Sequence, residues 1–386
     1  MTRLISMVIG LLCLQCFANA QSFETVEIDP TIGKVCYAVT AADVNQDGKL
    51  DAVAISEREA FWYRNPDWKR HTIISDAVPQ DHVCIAAHDI DGDGKVDFAL
   101  GAGWPKNGGT IHWLSRGKSL DQPWTVHDIS AEPWTHRMRW ADVVGDSDMD
   151  LVVTPLNATV GSGIRLMAFP IPNDPVAGPW KPIVLDASLD RAHNHWHLPG
   201  SSKEQTVIAS QQGISLLEAT DAGFRLKNIA RGASGTKPNE QGSGEVKSGK
   251  LASGKMIFAA IEPMHGNQVV VYLTDASMDA AKTERLVLDD SFVQGHAVWC
   301  ADLNDDGSDE VIAAYRNPSK GPVTDPGIYI FQATDDSGKA WKRRPLDPNM
   351  ACEDIWCADF NADGNVDVLA GGRATHNVKL YLNQGQ

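Results

Sequence analysis

Histidines are concentrated in a few short segments of this sequence, and each segment runs into an apolar stretch. These segments read QDHVCI, WTHRMRW, AHNHWH and QGHAVWC. Neutral imidazoles bind Zn²⁺ and other borderline transition ions, and they also act as general bases. The segments therefore indicate either a metal site or a base for proton transfer. The histidines they contain are His82, His136, His193, His195, His197 and His296.

A second pattern places acidic and amide side chains two or four positions apart around a glycine. It occurs as DVNQDGKLD, DIDGDGKVD, DLNDDGSDE and DFNADGNVD. Oxygens at this spacing can wrap a calcium ion, and the glycine allows the sharp turn. Short strand-like runs flank each loop, so we predict structural calcium sites rather than EF-hands. The predicted calcium ligands are Asp43, Asn45, Asp47, Asp51, Asp89, Asp91, Asp93, Asp97, Asp302, Asn304, Asp306, Asp359, Asn361, Asp363 and Asp367.

Two copies of this loop depart from the pattern. The copy that begins at Asp142 has Val144 at the third ligand position and Ser147 in place of the turn glycine. In the copy that begins at Asp302, Glu310 replaces the final aspartate. The sequence therefore supports calcium less well at these two loops.

The loops also reveal an internal repeat. Most successive copies are separated by roughly 50 residues, and one longer interval spans about three such periods. Two units with degenerate loops must lie in that interval, which gives seven units in all. Each unit contains four strand-like runs, and FETVEID near the N-terminus has the form of a last strand. We predict an all-β, seven-bladed β-propeller of four-stranded blades, with the ring closed by the N-terminal strand.

The N-terminus and the charge bear on localisation and partners. Residues 1–20 have one arginine, an apolar run and a final Ala-Asn-Ala, which predicts a signal peptide followed by a propeller domain over residues 21–386. We therefore expect a secreted or periplasmic protein. A formal net charge of −16 argues against nucleic acid as a partner, and no later apolar run predicts membrane insertion.

The propeller topology places most of the histidines on one face of the ring. Loops that enter the first strand of a blade, and loops that join its second and third strands, lie on the face opposite the calcium loops. Tyr37, His136, His296 and Glu353 each lie six residues before the first aspartate of their loop, so we expect them to converge on the axis. The predicted catalytic residues on this face are His82, His136, His195, His265, His296, Arg316 and Arg373.

Two further groups of residues complete the predicted site. The alternation in AHNHWH puts its three histidines on one side of a strand, where two or more could hold one ion. The predicted axial metal ligands, for Zn²⁺ or another divalent transition metal, are His136, His193, His195, His197 and His296. The predicted substrate-binding residues are Trp104, Arg58 and His376.

These motifs carry a family resemblance. The acidic loops resemble those of FG-GAP, or VCBS, repeats in integrin-type propellers, which implies the fold and structural calcium. QDH, THRMRWAD, HNHWH and GHAVWCADLN are similar to the propeller domain of aldos-2-ulose dehydratase and, more loosely, to propeller polysaccharide lyases. Imidazole bases beside guanidinium groups suit β-elimination from a keto sugar or a uronate-containing saccharide. We therefore expect a carbohydrate-active carbon–oxygen lyase or dehydratase. The alternative is a non-catalytic glycan-binding or adhesion propeller.

Overall fold

The computed structural model describes residues 21–104, 108–158, 161–198, 205–317 and 326–385. The predicted signal peptide lies outside the described residues. The described part of the chain is built almost entirely from β-strands, arranged in seven antiparallel four-stranded sheets. The predicted all-β, seven-bladed propeller is confirmed.

The first four blades follow one another along the chain, each from its inner to its outer strand. Blade 1 contains β2 (Ala38–Ala42), β3 (Asp51–Ile55), β4 (Glu59–Arg64) and β5 (Lys69–Ser75). Blade 2 contains β6 (Cys84–His88), β7 (Asp97–Ala102), β8 (Thr110–Ser115) and β9 (Thr125–Ser130). Blade 3 contains β10 (Thr135–Ala141), β11 (Asp150–Pro155), β12 (Leu166–Pro170) and β13 (Ile183–Asp186). Blade 4 contains β14 (Ala192–His197), β15 (Gln205–Ser210), β16 (Gly213–Thr220) and β17 (Gly223–Ala230).

The remaining blades include the one that closes the ring. A short pair, β18 (Ala233–Ser234) and β19 (Gln241–Gly242), flanks a 3₁₀ turn at Pro238–Glu240 before blade 5. Blade 5 contains β20 (Glu245–Lys250), β21 (Met256–Glu262), β22 (Gln268–Thr274) and β23 (Glu284–Asp289). Blade 6 contains β24 (Gly295–Ala301), β25 (Glu310–Tyr315), β26 (Ile328–Ala333) and β27 (Trp341–Asp347). Blade 7 contains β28 (Cys352–Ala358), β29 (Asp367–Gly372), β30 (Val378–Asn383) and, as its outer strand, β1 (Phe23–Asp29).

Closure by the N-terminal strand accounts for the missing outer strand of blade 7. Strand β1 pairs with β30 antiparallel, from Phe23 opposite Asn383 to Asp29 opposite Val378. Inner strand β28 contacts β2, so the ring has no open inner edge. Closing the ring through both ends of the chain couples the first and last blades.

The core lies between blades rather than within a single sheet. Buried apolar residues form a cluster between each pair of neighbouring blades. Second strands are covered on both faces, so all residues of β3, DAVAI, are buried, whereas most residues of the outer strand β5 are exposed or half-buried. Among the described residues, no helix is long and apolar enough to cross a membrane. The inner strands are left to line the axis.

Candidate functional site

Four of the seven inner strands share a local distortion near their N-terminal ends. In β10, β14, β24 and β28 the pairing with the second strand shifts by one residue. The residues at the shifts are His136, His193, His296 and Glu353. A β-bulge leaves its extra residue outside the ladder and redirects its side chain. The bulges therefore release these four side chains at one level of the axis.

Three of these residues meet a fourth histidine in a buried cluster. His136, His193, His265 and His296 each offer a ring nitrogen, and these nitrogens all lie within 4.8 Å of one another. The ring centroids of His193 lie 4.5 Å from His136, 4.4 Å from His265 and 5.0 Å from His296. His193 is thus the centre of the cluster, and its Nε2 is 2.5 Å from Nε2 of His265.

His265 reaches the cluster from the loop between β21 and β22. A Cβ at Gly244 would lie 1.8 Å from the carbonyl oxygen of Met264, and one at Gly266 would lie 2.0 Å from that of Glu262. Only glycine allows these approaches, since a real Cβ does not come so close to a backbone oxygen. The two glycines therefore let the loop fold tightly over the start of β20 and carry His265 to the axis.

Neighbouring groups fix two of the four imidazoles. Nδ1 of His193 is 2.7 Å from Oε1 of Glu245, and Nδ1 of His296 donates to the backbone carbonyl of Glu353 at 2.6 Å. Each contact implies a proton on Nδ1 and a lone pair on Nε2, and in His193 that lone pair faces Nε2 of His265. Metal-binding histidines are typically held in this way, by a carboxylate or carbonyl behind the ring. Nδ1 of His265 has only a long contact, 3.4 Å, with Nη2 of Arg316.

His136 differs from the other three histidines. Its side chain is buried, yet neither ring nitrogen has a hydrogen-bond partner among the described residues. A buried polar group without a partner costs free energy, and it commonly marks a place where an ion, a water or a ligand binds. The orphaned nitrogens of His136 therefore point to a ligand at the cluster.

Burial keeps the cluster uncharged. Desolvation lowers the pKa of His136 and His296 well below the usual value, and it also lowers the pKa of His193 and His265. Nearby arginines act in the same direction. All four rings are therefore neutral near pH 7, which is the form that binds metals and accepts protons.

An ion cluster lies beside the imidazoles. Both carboxylate oxygens of Glu353 accept from Nη1 of Arg316, at 2.6 and 2.8 Å, and Oε1 also accepts from Nη1 of Arg373 at 2.7 Å. The Arg316 side chain is 9% exposed and that of Arg373 is 32% exposed. The predicted pair of arginines thus reaches the site with its charge only partly compensated, and Arg373 is the more accessible of the two.

Three of the imidazoles, His136, His265 and His296, and this ion cluster line a small cavity. Its volume is about 30 Å³, enough for an ion with a water but too little for a sugar ring. Trp104 forms one wall, with its ring centroid 5.7 Å from that of His136. Tyr37 forms another wall and donates to Asp81 at 3.1 Å. The described residues that line the cavity are Tyr37, Val83, Trp104, His136, Arg137, His265, His296, Arg316, Glu353 and Arg373.

The structure does not bring the predicted ligands His195 and His197 to this cluster. The bulge at His193 breaks the alternation on which the expected three-histidine row depended. Nδ1 of His195 contacts Oγ1 of Thr154 at 2.6 Å, and Nδ1 of His197 contacts Oγ1 of Thr206 at 2.7 Å. Both rings therefore lie further along β14 than His193.

Three other predicted residues lie outside both the cluster and the cavity lining, whereas His193 belongs to the cluster but does not line the cavity. His82 is fully buried, and its burial lowers its pKa to about 4. Arg58 is exposed and pairs with Asp76 at 2.5 Å. His376 is exposed, and its Nδ1 contacts the carbonyl of Lys34 at 2.5 Å. The predicted residues that the cavity does bring together are Trp104, His136, His265, His296, Arg316 and Arg373.

Sequence reasoning missed Glu245 and omitted His265 from the metal set. Glu245 begins the inner strand of blade 5, where other blades carry histidine or glutamate, and blade alignment could have revealed it. Burial alone would raise its pKa, but His193 and Arg137 lower it to about 2. Glu245 is therefore ionised behind His193.

The acidic loops lie at the opposite ends of the inner strands. In the loop of blade 2, Oδ2 of Asp89 accepts from the backbone of Gly94 at 2.9 Å, and Oδ2 of Asp97 accepts from Ile90 at 3.0 Å. Asp89, Asp91 and Asp97 also offer oxygens within 4.8 Å of one another. The incomplete copy keeps the same backbone bonds, since Oδ2 of Asp142 accepts from Ser147 at 3.0 Å. These loops satisfy their own backbone, with or without the full ligand set.

Comparison with known proteins gives sequence matches to two families. The aldos-2-ulose dehydratase β-propeller domain family matches residues 108–275, and the FG-GAP-like repeat family matches residues 43–100. The aldos-2-ulose dehydratase of Phanerodontia chrysosporium is 23% identical over 292 residues. That match covers 68% of this chain and 31% of the dehydratase, so the chain spans less than a third of its relative.

Solved structures share the fold at low identity. The extracellular domain of BT4673 from B. thetaiotaomicron, described as a hybrid two-component system, superposes with a TM-score of 0.56 at 11% identity, over 93% of this chain and 39% of that one. The Dos1 propeller superposes with a TM-score of 0.52 at 10% identity, over 88% of this chain and 75% of that one. These similarities show the fold alone. The predicted resemblance to FG-GAP repeats and to the propeller domain of aldos-2-ulose dehydratase is confirmed by the sequence matches.

Proposed function

We propose that this protein is an exported carbohydrate lyase or dehydratase that acts by β-elimination on a keto sugar or a uronate-containing saccharide. The observation that carries the proposal is the buried cluster of four neutral histidines beside two arginines on the propeller axis. The sequence similarity to a carbohydrate-processing enzyme supports a saccharide as the ligand. The N-terminal sequence supports export, to the periplasm or outside the cell.

The donor set fits a divalent transition metal such as Zn²⁺. We propose His193, His265 and His296 as its ligands, because Glu245 and the carbonyl of Glu353 engage Nδ1 of two of these rings and leave Nε2 as the nitrogen that can coordinate. Three protein ligands with an open position are typical of catalytic rather than structural zinc. When bound, the ion would polarise a carbonyl oxygen of the substrate and stabilise the negative charge that develops there.

His136 is our candidate for the base. It lines the cavity, its ring lies against Trp104, and neither of its nitrogens has a hydrogen-bond partner in the described part of the chain. A free nitrogen of His136 takes the proton from the carbon next to the carbonyl or carboxylate group. The electrons of that C–H bond form the C=C bond as the β-substituent leaves. The imidazolium then returns the proton to the departing oxygen, which restores the neutral ring.

The arginines would hold the charged end of the substrate. Arg373 is the accessible member of the pair, and Glu353 fixes the guanidinium groups of Arg373 and Arg316 in place. Because the cavity is too small for a sugar ring, the ring must lie at the mouth, where Trp104 offers an aromatic face. Only the reacting group then enters the cavity.

A substrate screen tests this proposal. The purified protein, loaded with Zn²⁺, is incubated with keto sugars and with uronate-containing saccharides, whose elimination would give unsaturated products. Mass spectrometry follows the loss of water from the sugar or the cleavage of the saccharide chain. We expect one substrate class to react, and His136→Ala to abolish turnover while retaining the metal. Full turnover in a folded His136→Ala variant would contradict the assignment of the base.

The second candidate function is a glycan-binding propeller without chemistry. The small size of the cavity and the aromatic face of Trp104 at its mouth favour it. Saturable oligosaccharide binding, with no product from any substrate and no effect of His136→Ala on affinity, would support this reading over the lyase. The calcium loops are structural in both proposals.

A further inference from the structure

A second chamber lies further along the axis from the histidine cavity. Its volume is about 300 Å³, at the lower end of the range for small-molecule sites. It shares no lining residue with the histidine cavity. The chamber lining is Thr40, Ala41, Ala86, Ala87, Met138, Arg139, Trp140, Trp196, His197 and Trp356.

A buried polar layer separates the two spaces. Glu245 lies within 3.5 Å of Arg137, accepts from the side chain of Asn194 and contacts His193. Oδ1 of Asn194 in turn accepts from Nη2 of Arg139 at 3.1 Å. The chamber therefore begins where the polar partners of the histidine cluster end.

Two inner-strand cations face aromatic rings instead of carboxylates: Arg139 lines the chamber, and Lys247 lies beside it, against the chamber wall residue Trp196. The guanidinium of Arg139 lies 5.0 Å from the ring centroid of Trp196, and its buried Nε has no hydrogen-bond partner among the described residues. Nζ of Lys247 lies 4.6 Å from the same centroid and 5.3 Å from that of Trp299. No ion pair within 4.0 Å joins either cation to a carboxylate in the described part of the chain. Cation–π contacts lower the cost of burying these charges, but they satisfy none of the N–H groups.

The charges on this part of the axis do not balance. Three inner-strand cations, Arg137, Arg139 and Lys247, face two carboxylates, Glu245 and Asp354. Glu245 serves the histidine cluster, and Oδ2 of Asp354 accepts from the backbone of Val39 at 3.0 Å. Basic side chains thus outnumber acidic ones here, inside a chain whose net charge is −16. Such a local surplus of basic groups favours the binding of a small anion.

We propose that this chamber is a second ligand site, which takes a small carboxylate whose ring stacks on tryptophan. The carboxylate would accept from Arg139 and neutralise Lys247, while Trp196 and Trp356 would cover the faces of the ring. Nε2 of His197, which is also buried and unpartnered in the described residues, lines the same chamber and can bind a hydroxyl group. Burial lowers the pKa of Lys247 to about 7, as expected of an ammonium that lacks a bonded anion. The proposal does not depend on the lyase function.

Calorimetric titration tests the chamber and separates two sources of the carboxylate. D-glucuronate represents sugar acids and benzoate represents aromatic acids, and D-glucose and benzyl alcohol are their neutral counterparts. We expect saturable binding of at least one acid and none of its neutral counterpart. Since a charge-assisted hydrogen bond contributes about 1.5–3 kcal/mol, Arg139→Gln should weaken binding roughly tenfold or more.

Further variants locate the binding event and guard against misfolding. Lys247→Met keeps the length and packing of the side chain between the tryptophans, so it decides the outcome if Arg139→Gln does not fold. Lys227→Met, on the exposed surface, is the matched control. His136→Ala tests whether the acid instead binds at the histidine cavity, and it should leave the affinity unchanged.

The titrations either support or overturn the chamber as a ligand site. Binding that falls in Arg139→Gln or Lys247→Met, and is kept in Lys227→Met and His136→Ala, would support the chamber site for whichever acid binds. Binding of neither acid would overturn the proposal. It would also be overturned by full affinity in folded Arg139→Gln and Lys247→Met, or by affinity that disappears in His136→Ala. Lyase activity could survive any of these outcomes.

Discussion

The polar groups at the two ends of the inner strands find their hydrogen-bond partners in different ways. At one end, each acidic loop arranges its polar groups within a few residues, as when Asp89 accepts from Gly94 and Asp97 accepts from Ile90. At the other end, the histidine cluster draws on four different blades, and His136 has no hydrogen-bond partner among the described residues. The loops are turns closed by their own hydrogen bonds, whereas the cluster leaves buried ring nitrogens unpaired in the described part of the chain.

This difference lies in how far apart in the sequence the contacting residues are. The loop at Asp142 keeps its backbone bonds although its ligand set is incomplete. The cluster, by contrast, combines residues of four blades: bulges release His136, His193 and His296, and a loop of blade 5 supplies His265. Local chemistry thus builds the loops, and long-range topology builds the site.

The largest expected effect comes from the histidines themselves. His193→Ala removes the central imidazole, so we expect loss of both the bound transition metal and turnover. His136→Ala removes the proposed base and should lower kcat by about 10²-fold or more with the metal retained. Metal analysis and kinetics on both variants check this. His127→Ala, a stacked histidine in blade 2, is the control and should retain both properties.

Breaking the ion cluster should weaken the fold on the histidine side. Glu353→Gln leaves the buried guanidinium of Arg316 without its carboxylate, and we expect the free energy of unfolding to fall by about 3 kcal/mol or more. Urea denaturation measures the change. Glu218→Gln, which breaks a surface pair with Arg225, should have little effect. Equal free energies of unfolding for the two variants would show that the ion pairs of Glu353 with the arginines do not stabilise the fold.

A smaller effect should follow from the carboxylate behind His193. Glu245→Gln keeps the shape of the side chain but removes its charge, so we expect metal affinity to fall by roughly 10- to 100-fold. Competition with a chromogenic chelator measures the affinity. Unchanged affinity in a folded variant would mean that Glu245 serves Arg137 and Asn194 only.

The calcium loops should give the smallest effect, and they offer a matched pair. Asp89 and Asp142 accept the same backbone bond, but only the loop of Asp89 has a complete ligand set. Asp89→Asn should remove about 2 kcal/mol of calcium-dependent stabilisation, and Asp142→Asn should remove none of it. Thermal unfolding with and without calcium checks this. An equal loss in both variants would show that the two loops bind calcium alike.

The blade count, the strand order and the closing strand could all be predicted because each blade repeats one local pattern. Acidic loops at a regular interval and FETVEID at the N-terminus were sufficient for that prediction. The convergence of His136, His296 and Glu353 could also be predicted, since they occupy one position of the repeat. Residues at one position of the repeat lie at one level of the ring, so their convergence follows from the sequence.

The sequence did not reveal where the alternation of side chains along a strand, or the repeat of acidic loops, is interrupted. The bulge at His193 sets it apart from His195 and His197, and strict alternation along β14 cannot predict a bulge. Glu245 belongs to a blade without an acidic loop, so no reference aspartate marked its position. The role of His265 depends on glycine contacts between distant backbone segments, which only the folded chain brings together.

Elemental mass spectrometry of the purified mature protein tests the central claim most directly. The wild-type protein is measured beside a His193→Ala/His296→Ala double variant whose fold has been checked by circular dichroism. We predict about one transition-metal ion per chain in the wild type, its loss in the variant, and calcium in both. A wild-type protein that takes up no transition metal after incubation with Zn²⁺, or a variant that retains it fully, would contradict a metal centre on the axis.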